Sequence, residues 1–309
     1  MAITGTGVVD DPYVVHSYDE IKTSFERRDL CPITSNRLYI KLDNDIDCKN
    51  YGIDWTWTVC TFTSSNNADR FIFDLDGHTI KNFKVSTNSY MFHGGASGYE
   101  KSNFIKNGII KNVYLLNADG LFEYGITFEN VGISVNATGI NNKNLCVPNI
   151  KFKRCGINLT WFNPIGSSNH IQSWGAKGGA RAQAIYEYCD FMLNITNLYT
   201  VLHYCDYEDY PFKDCRFRGK ISSSISMSSG EMVFSRGGMR NCIVDVDFSD
   251  FNPTSATQVS RSGSLNIVNT DTFTEKLTTT ATIPATGTQI KTGDWLRAQG
   301  FPVVNVQTP

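Results

Sequence analysis

Apolar and polar positions alternate along this chain in a phrase that keeps returning. It has an apolar residue, two spacers, a small residue, and then strict alternation. It reads Phe152, Cys155, Ile157, Leu159, then Tyr186, Cys189, Phe191, Leu193, then Phe212, Cys215, Phe217, and then Met239, Cys242, Val244, Val246. Upstream it reads Phe128, Val131, Ile133, Val135, and more loosely it surrounds Gly108 and Gly77. The anchors Gly77, Gly108, Val131, Cys155, Cys189, Cys215 and Cys242 are 31, 23, 24, 34, 26 and 27 residues apart. A repeat of roughly 20–50 residues signals a stacked architecture. Alternation at period two makes the repeating unit a strand. With no helical pattern between the strands, the expected fold is all-β: a parallel β-helix, a solenoid in which each coil stacks on the one before.

The anchors are expected to form an internal structural ladder at a tight corner of successive coils. Four of them are cysteines, and a free cysteine behaves as a small, buried hydrophobe. Packing therefore outweighs chemistry as their role, with Gly77, Gly108 and Val131 filling the same place.

The ends depart from the repeat. Ser17 can cap a helix over 17–29 whose first turn carries Asp19 and Glu20, and Tyr18, Ile21 and Phe25 make one face apolar. A solenoid exposes core at its first coil, so this helix is the expected cap. The chain then divides into 1–35 (strand and capping helix), 36–251 (β-helix) and 252–309 (an extended, Thr/Ser-rich assembly segment). A short helix from Asp294 to Gly300 would sit in that last segment. The wide spacing between Cys155 and Cys189 implies an inserted loop, 163–182, which holds His170 and Trp174. Such insertions often form a binding face.

Composition narrows the choice. The 309 residues carry a formal net charge of −2, which gives no footprint for nucleic acid or an anionic membrane. No run of about 18 apolar residues is present, so no membrane span is expected. The nine cysteines are odd in number and contain no CxxC pair, and no secretory apolar region follows Met1. Neither a zinc ribbon nor a disulfide framework is expected, and the chain reads as one folded in a reducing cytosol. The sequons at Asn136, Asn158 and Asn194 then carry no glycosylation argument.

Several phrases bear a resemblance. They are Gly5-Thr6-Gly7, Asp10-Asp11-Pro12-Tyr13, Tyr39-Ile40-Lys41-Leu42-Asp43-Asn44-Asp45-Ile46, and Phe73-Asp74-Leu75-Asp76-Gly77-His78-Thr79-Ile80-Lys81-Asn82. Over roughly residues 1–250 the chain is similar to right-handed parallel β-helix proteins of the pectate-lyase-like superfamily. In particular it resembles the β-helical modules of bacteriophage tail spikes, tail fibres and head fibres. The resemblance implies a virion component made in the host cytoplasm and used for particle assembly or host-surface attachment. It implies other virion proteins as partners, a homo-oligomer with a trimer favoured, and a host surface glycan as a further partner.

Catalytic signals are sparse. Glycan hydrolysis needs two carboxylates flanking the sugar. The local candidates are Asp206, Glu208 and Asp209, interleaved with Tyr207 and Tyr210, and the competing reading is a solvated charged turn. Trp161, Trp174, Tyr207 and Tyr210 are the candidate sugar platforms, because aromatic faces cover apolar sugar faces. Against them stands the common use of aromatics as core stacks. His16, His78, His170 and His203 are scattered, and no phosphate loop, nucleophile elbow, metal motif or cofactor signature occurs. The first reading is thus a non-enzymatic virion structural protein, with catalysis left open. The alternative is a glycan-degrading tail spike, a polysaccharide depolymerase. A bacterial surface adhesin is a third reading, weakened by the missing leader.

Overall fold

A computed structural model describes residues 3–26, 29–32, 37–48, 71–82, 84–85, 91–93, 103–115, 121–123, 125–138, 144–147, 150–163, 173–176, 184–197, 203–204, 211–222, 239–240 and 243–247. These residues form an all-β structure with one short helix and two sheets, of sixteen and five strands. Every pairing between named strands is parallel.

One row of the large sheet follows the order of the chain, each strand reached from the one before by a crossover connection. It runs Tyr13–Val15, Leu38–Leu42, Phe71–Asp74, the start of Asn103–Leu115, the start of Ile126–Thr138, Lys151–Lys153, Ile185–Glu187, Phe212–Lys213 and Met239–Arg240. Register partners are Ile105 with Phe128, Phe128 with Phe152, Phe152 with Tyr186, Tyr186 with Phe212, and Phe212 with Met239. Those partners repeat the 23-, 24-, 34-, 26- and 27-residue spacings of the sequence phrase.

A second row lies after the anchor. Ile126–Thr138, Gly156–Phe162, Asp190–Thr196, Arg216–Ser222 and Ile243–Asp247 pair in that order. The five-stranded sheet joins Phe92–His93, Phe122–Glu123, Asn144–Val147, Ser173–Ala176 and His203–Tyr204.

Between the two rows the backbone turns through left-handed residues. Asn107, Asn130, Arg154, Tyr188 and Asp214 have φ of 58°, 56°, 55°, 55° and 53°. Each immediately precedes an anchor: Gly108, Val131, Cys155, Cys189 or Cys215. A side chain in this region costs roughly 1–2 kcal/mol, least for Asn and Asp. Part of the cost is offset by a polar chain running across segments. Asn107 Nδ2 donates to Asp74 at 3.1 Å, Asn130 Nδ2 to Asn107 Oδ1 at 3.3 Å, and Arg154 Nε to Asn130 Oδ1 at 3.0 Å, while Arg154 also pairs with Glu129.

The anchors Gly108, Val131, Cys155, Cys189 and Cys215 are buried. The thiols donate back to the preceding segment: Cys155 to the Phe128 carbonyl at 3.5 Å, Cys189 to Phe152 at 3.4 Å, and Cys215 to Tyr186 at 3.5 Å. Burial pushes the Cys155 thiol well up, whereas at Cys189 burial is opposed by hydrogen bonds from Cys155, Cys215 and the backbone, which pull the thiol down. A small side chain that also supplies a weak donor suits this place.

Gly77 departs from the expected ladder. It is exposed, with φ of 85° and open space where a Cβ would stand. The inward position belongs to Leu75, which is fully buried; a Cβ on Gly108 would collide with the Leu75 Cβ and stand 2.7 Å from the His78 carbonyl oxygen. The cause is a two-residue excess. Asp74 pairs with Lys106 but Thr79 pairs with Ile109, so residues 75–78 loop out in a turn closed by His78 N–H to the Leu75 carbonyl at 2.7 Å.

The helix spans Tyr18–Glu26, shorter than the expected 17–29. Glu20 N–H donates to Ser17 Oγ at 3.3 Å, while His16 N–H donates to Glu20 Oε2 at 2.7 Å, a reciprocal cap. Phe25 stands edge-on to Phe71 and Phe73, with centroids 5.1 and 5.8 Å away. Among the described residues no helix is long and apolar enough to cross a membrane.

Candidate functional site

The second row has two faces. Ile157, Leu159 and Trp161, then Phe191, Leu193 and Ile195, point inward and are at most 1% exposed. The intervening residues point outward. In register, Gly132, Gly156, Asp190 and Arg216 make the first outward line. Ser134, Asn158, Met192 and Arg218 make the second, and Tyr114, Asn136, Thr160, Asn194 and Lys220 the third. Phe162 closes the face beside Thr196.

This face holds three of the exposed large apolar side chains, Tyr114 (49%), Phe162 (45%) and Met192 (38%). Between them stand the amides and hydroxyls of Asn136, Thr160 and Asn194. Flat or soft apolar surface beside short hydrogen-bonding groups is what a polyhydroxylated ligand needs: the former covers C–H faces, the latter meets hydroxyls.

At the edge of the same face a carboxylate is buried. The Asp190 side chain is 1% exposed, and its Oδ2 accepts from Arg218 at 3.1 Å. Among the described residues its Oδ1 has no hydrogen-bond partner, and neither has Asn158 Oδ1, nor the Nε atoms of Arg216 and Arg218. On the first outward line Gly132 and Gly156 precede Asp190 without side chains, and Arg216 and Arg218 come from the following strand. Burial raises the Asp190 carboxyl to about 6, against the opposing pull of Arg218 and then Arg216.

The expected site residues fare differently. Trp161 and Trp174 are 1% and 0% exposed, and the Trp174 ring lies 5.8 Å from Phe152, so neither offers a face to a sugar. Trp161 is on the inward parity of its strand, which the alternation around Ile157 and Leu159 already dictates. Asp206, Tyr207, Glu208, Asp209 and Tyr210 lie outside the described residues, as do Cys242 and the 252–309 segment. The sequence reading does not single out Asp190, and it names Asn158 only as a sequon. The available signal was an acid on an outward line that begins with two glycines, followed in the next segment by two arginines on the same parity.

The described ionic partner of Asp190 is a guanidinium rather than a second carboxylate, so this cluster lacks the acid pair that hydrolysis requires. Among the described residues, no group of three or more His, Cys, Asp or Glu could hold a metal ion.

No family model matches the chain, and comparison with curated proteins found no match. Among solved structures the chain is similar to one described as a "putative immunoglobulin A1 protease from Bacteroides ovatus", at 17% identity and a TM-score of 0.35, over 85% of this chain and 83% of that one. A likeness that weak bears on neither fold nor activity.

Proposed function

We propose that the chain is a right-handed parallel β-helix serving as a structural component of a bacteriophage particle, a fibre, spike or decoration element. In this reading the helix Tyr18–Glu26 covers the first coil, and residues 252–309 join the protein to its own copies, as a trimer, and to other virion proteins. The observation that carries it is the parallel register running from Tyr13 to Met239, in which the segments from Ile105 onward lie on one another at the spacing of the sequence phrase. Such stacking makes a stiff scaffold whose stability is a sum over neighbours. The particle assignment rests on the resemblance of residues 1–250 to phage β-helical modules.

Host attachment would use the outward face of Tyr114, Asn136, Thr160, Phe162, Met192 and Asn194, with a surface glycan as ligand. A depolymerase is the alternative, and Glu208→Gln with Asp209→Asn tests it through sugar release. The main reading is tested by peptide mass spectrometry of gradient-purified particles. The chain should co-purify at a fixed ratio to capsid or tail proteins. Its recovery only as free protein in the lysate would overturn the assignment.

A further inference from the structure

Two buried oxygens on the outward face share one deficit. Asp190 Oδ1 and Asn158 Oδ1 are both acceptors, both inaccessible, and both without a donor among the described residues. Asp190 pairs in register with Gly156, and Asn158 with Met192, so the two side chains are diagonal neighbours on adjacent strands of one face. Strands about 4.8 Å apart and a two-residue rise of about 6.6 Å put diagonal Cα atoms about 8 Å apart, within the combined reach of these side chains. A buried acceptor without a donor costs about 1–3 kcal/mol, so two on diagonal positions of one face favour a bound proton, in competition with the unpaired Nε–H groups of Arg216 and Arg218 on the next strand.

We propose that Asp190 is a proton-operated latch: protonated, it donates from Oδ1 to the Asn158 carboxamide oxygen while Oδ2 accepts from Arg218, and ionised, it releases Asn158 and loosens the contact between the strands Gly156–Phe162 and Asp190–Thr196. One proton satisfies both orphan oxygens. The inference does not depend on the particle assignment.

The charged surroundings decide whether the proton stays. From the following strand Arg216, in register, and Arg218, in contact, both favour the carboxylate. The preceding strand offers Gly156 and Asn158, which carry no charge. On its own strand Asp190 follows Cys189, whose ionisation would oppose its own. Two guanidiniums would ordinarily hold a carboxylate ionised. Here one carboxylate oxygen is paired and the other is stranded away from water, and burial prevails, to about 6 from 3.8. That is about a hundredfold tighter proton binding than in an exposed aspartate.

The test is a carboxyl carbon NMR titration of the full chain labelled at aspartate, with Asp190 assigned through Asp190→Asn. The expected midpoint for Asp190 is about 6, and Asn158→Ala should lower it by about one pH unit by removing the acceptor. Amide exchange at 156–160 and 190–194 should quicken above the midpoint in the wild type. An Asp190 midpoint at or below the ordinary range near 4 would overturn the proposal, as would a midpoint unmoved by Asn158→Ala. If Asn158→Ala fails to fold, the wild-type midpoint and exchange profile decide the matter alone.

Discussion

The ring of Phe152 lies flat against that of Tyr186, with 5.2 Å between centroids and 6° between planes, although 34 residues separate them in the chain. The column continues on both sides, through Phe128 at 5.0 Å and 11° and through Phe212 at 4.6 Å and 20°. Each ring comes from the same place in its own segment. Phe152→Ala should therefore remove contacts to both neighbouring segments and leave a large void. Chemical denaturation should show a loss of about 3–5 kcal/mol, with Phe152→Leu costing clearly less.

Two glycines that look alike in sequence should behave differently. Gly77→Ala places a methyl in open space at an unfavourable φ of 85°, at a cost of about 1 kcal/mol. Gly108→Ala drives a methyl into Leu75 and toward the His78 carbonyl, at a cost of about 3 kcal/mol or a failure to fold. Equal melting temperatures for the two variants would contradict the position of Leu75 in the ladder.

The stacked thiols should be chemically silent. Cys155, Cys189 and Cys215 are fully buried, and burial disfavours the thiolate that alkylating reagents need. Peptide mapping after iodoacetamide treatment should find all three unmodified in the native chain and modified in denaturant. Cys189→Asp would place an unpaired charge in the same column and should cost several kcal/mol.

Acid should favour the fold through Asp190. Its folded carboxyl titrates at about 6, above the unfolded 3.8, so between those values the folded chain holds more protons. The stabilisation is complete below about pH 4 and is lost as pH rises through 6, a swing of about 3 kcal/mol. Urea denaturation between pH 4 and 7.5 should show this decline in the wild type and a flatter profile in Asp190→Asn. Parallel profiles would show that Asp190 titrates alike in both states.

The repeat was legible because alternation and small anchors follow directly from a pleated strand meeting a tight corner. The phrase around Cys155, Cys189 and Cys215 has both, and its spacings match the register partners of the sheet. At Gly77 the same phrase misled, because a glycine in an exposed turn and a glycine under a leucine carry the same letter; only the pairing of Asp74 with Lys106 and Thr79 with Ile109 separates them. For Trp161 and Trp174 the sequence leaves a sugar platform and a core stack both open, and parity and packing decide for the core. Asp190 is not legible along the chain because its neighbours, Gly156 on one strand and Arg216 and Arg218 on another, are set by pairing across strands.

Stacking of successive segments in parallel register is the claim on which the rest depends. The most direct measurement is the set of nuclear Overhauser contacts from the Tyr186 ring in a chain selectively labelled at its aromatic residues. The account predicts contacts from Tyr186 to both Phe152 and Phe212, and none to Phe128, which lies two segments away. A Tyr186 ring that touches neither Phe152 nor Phe212 would contradict it.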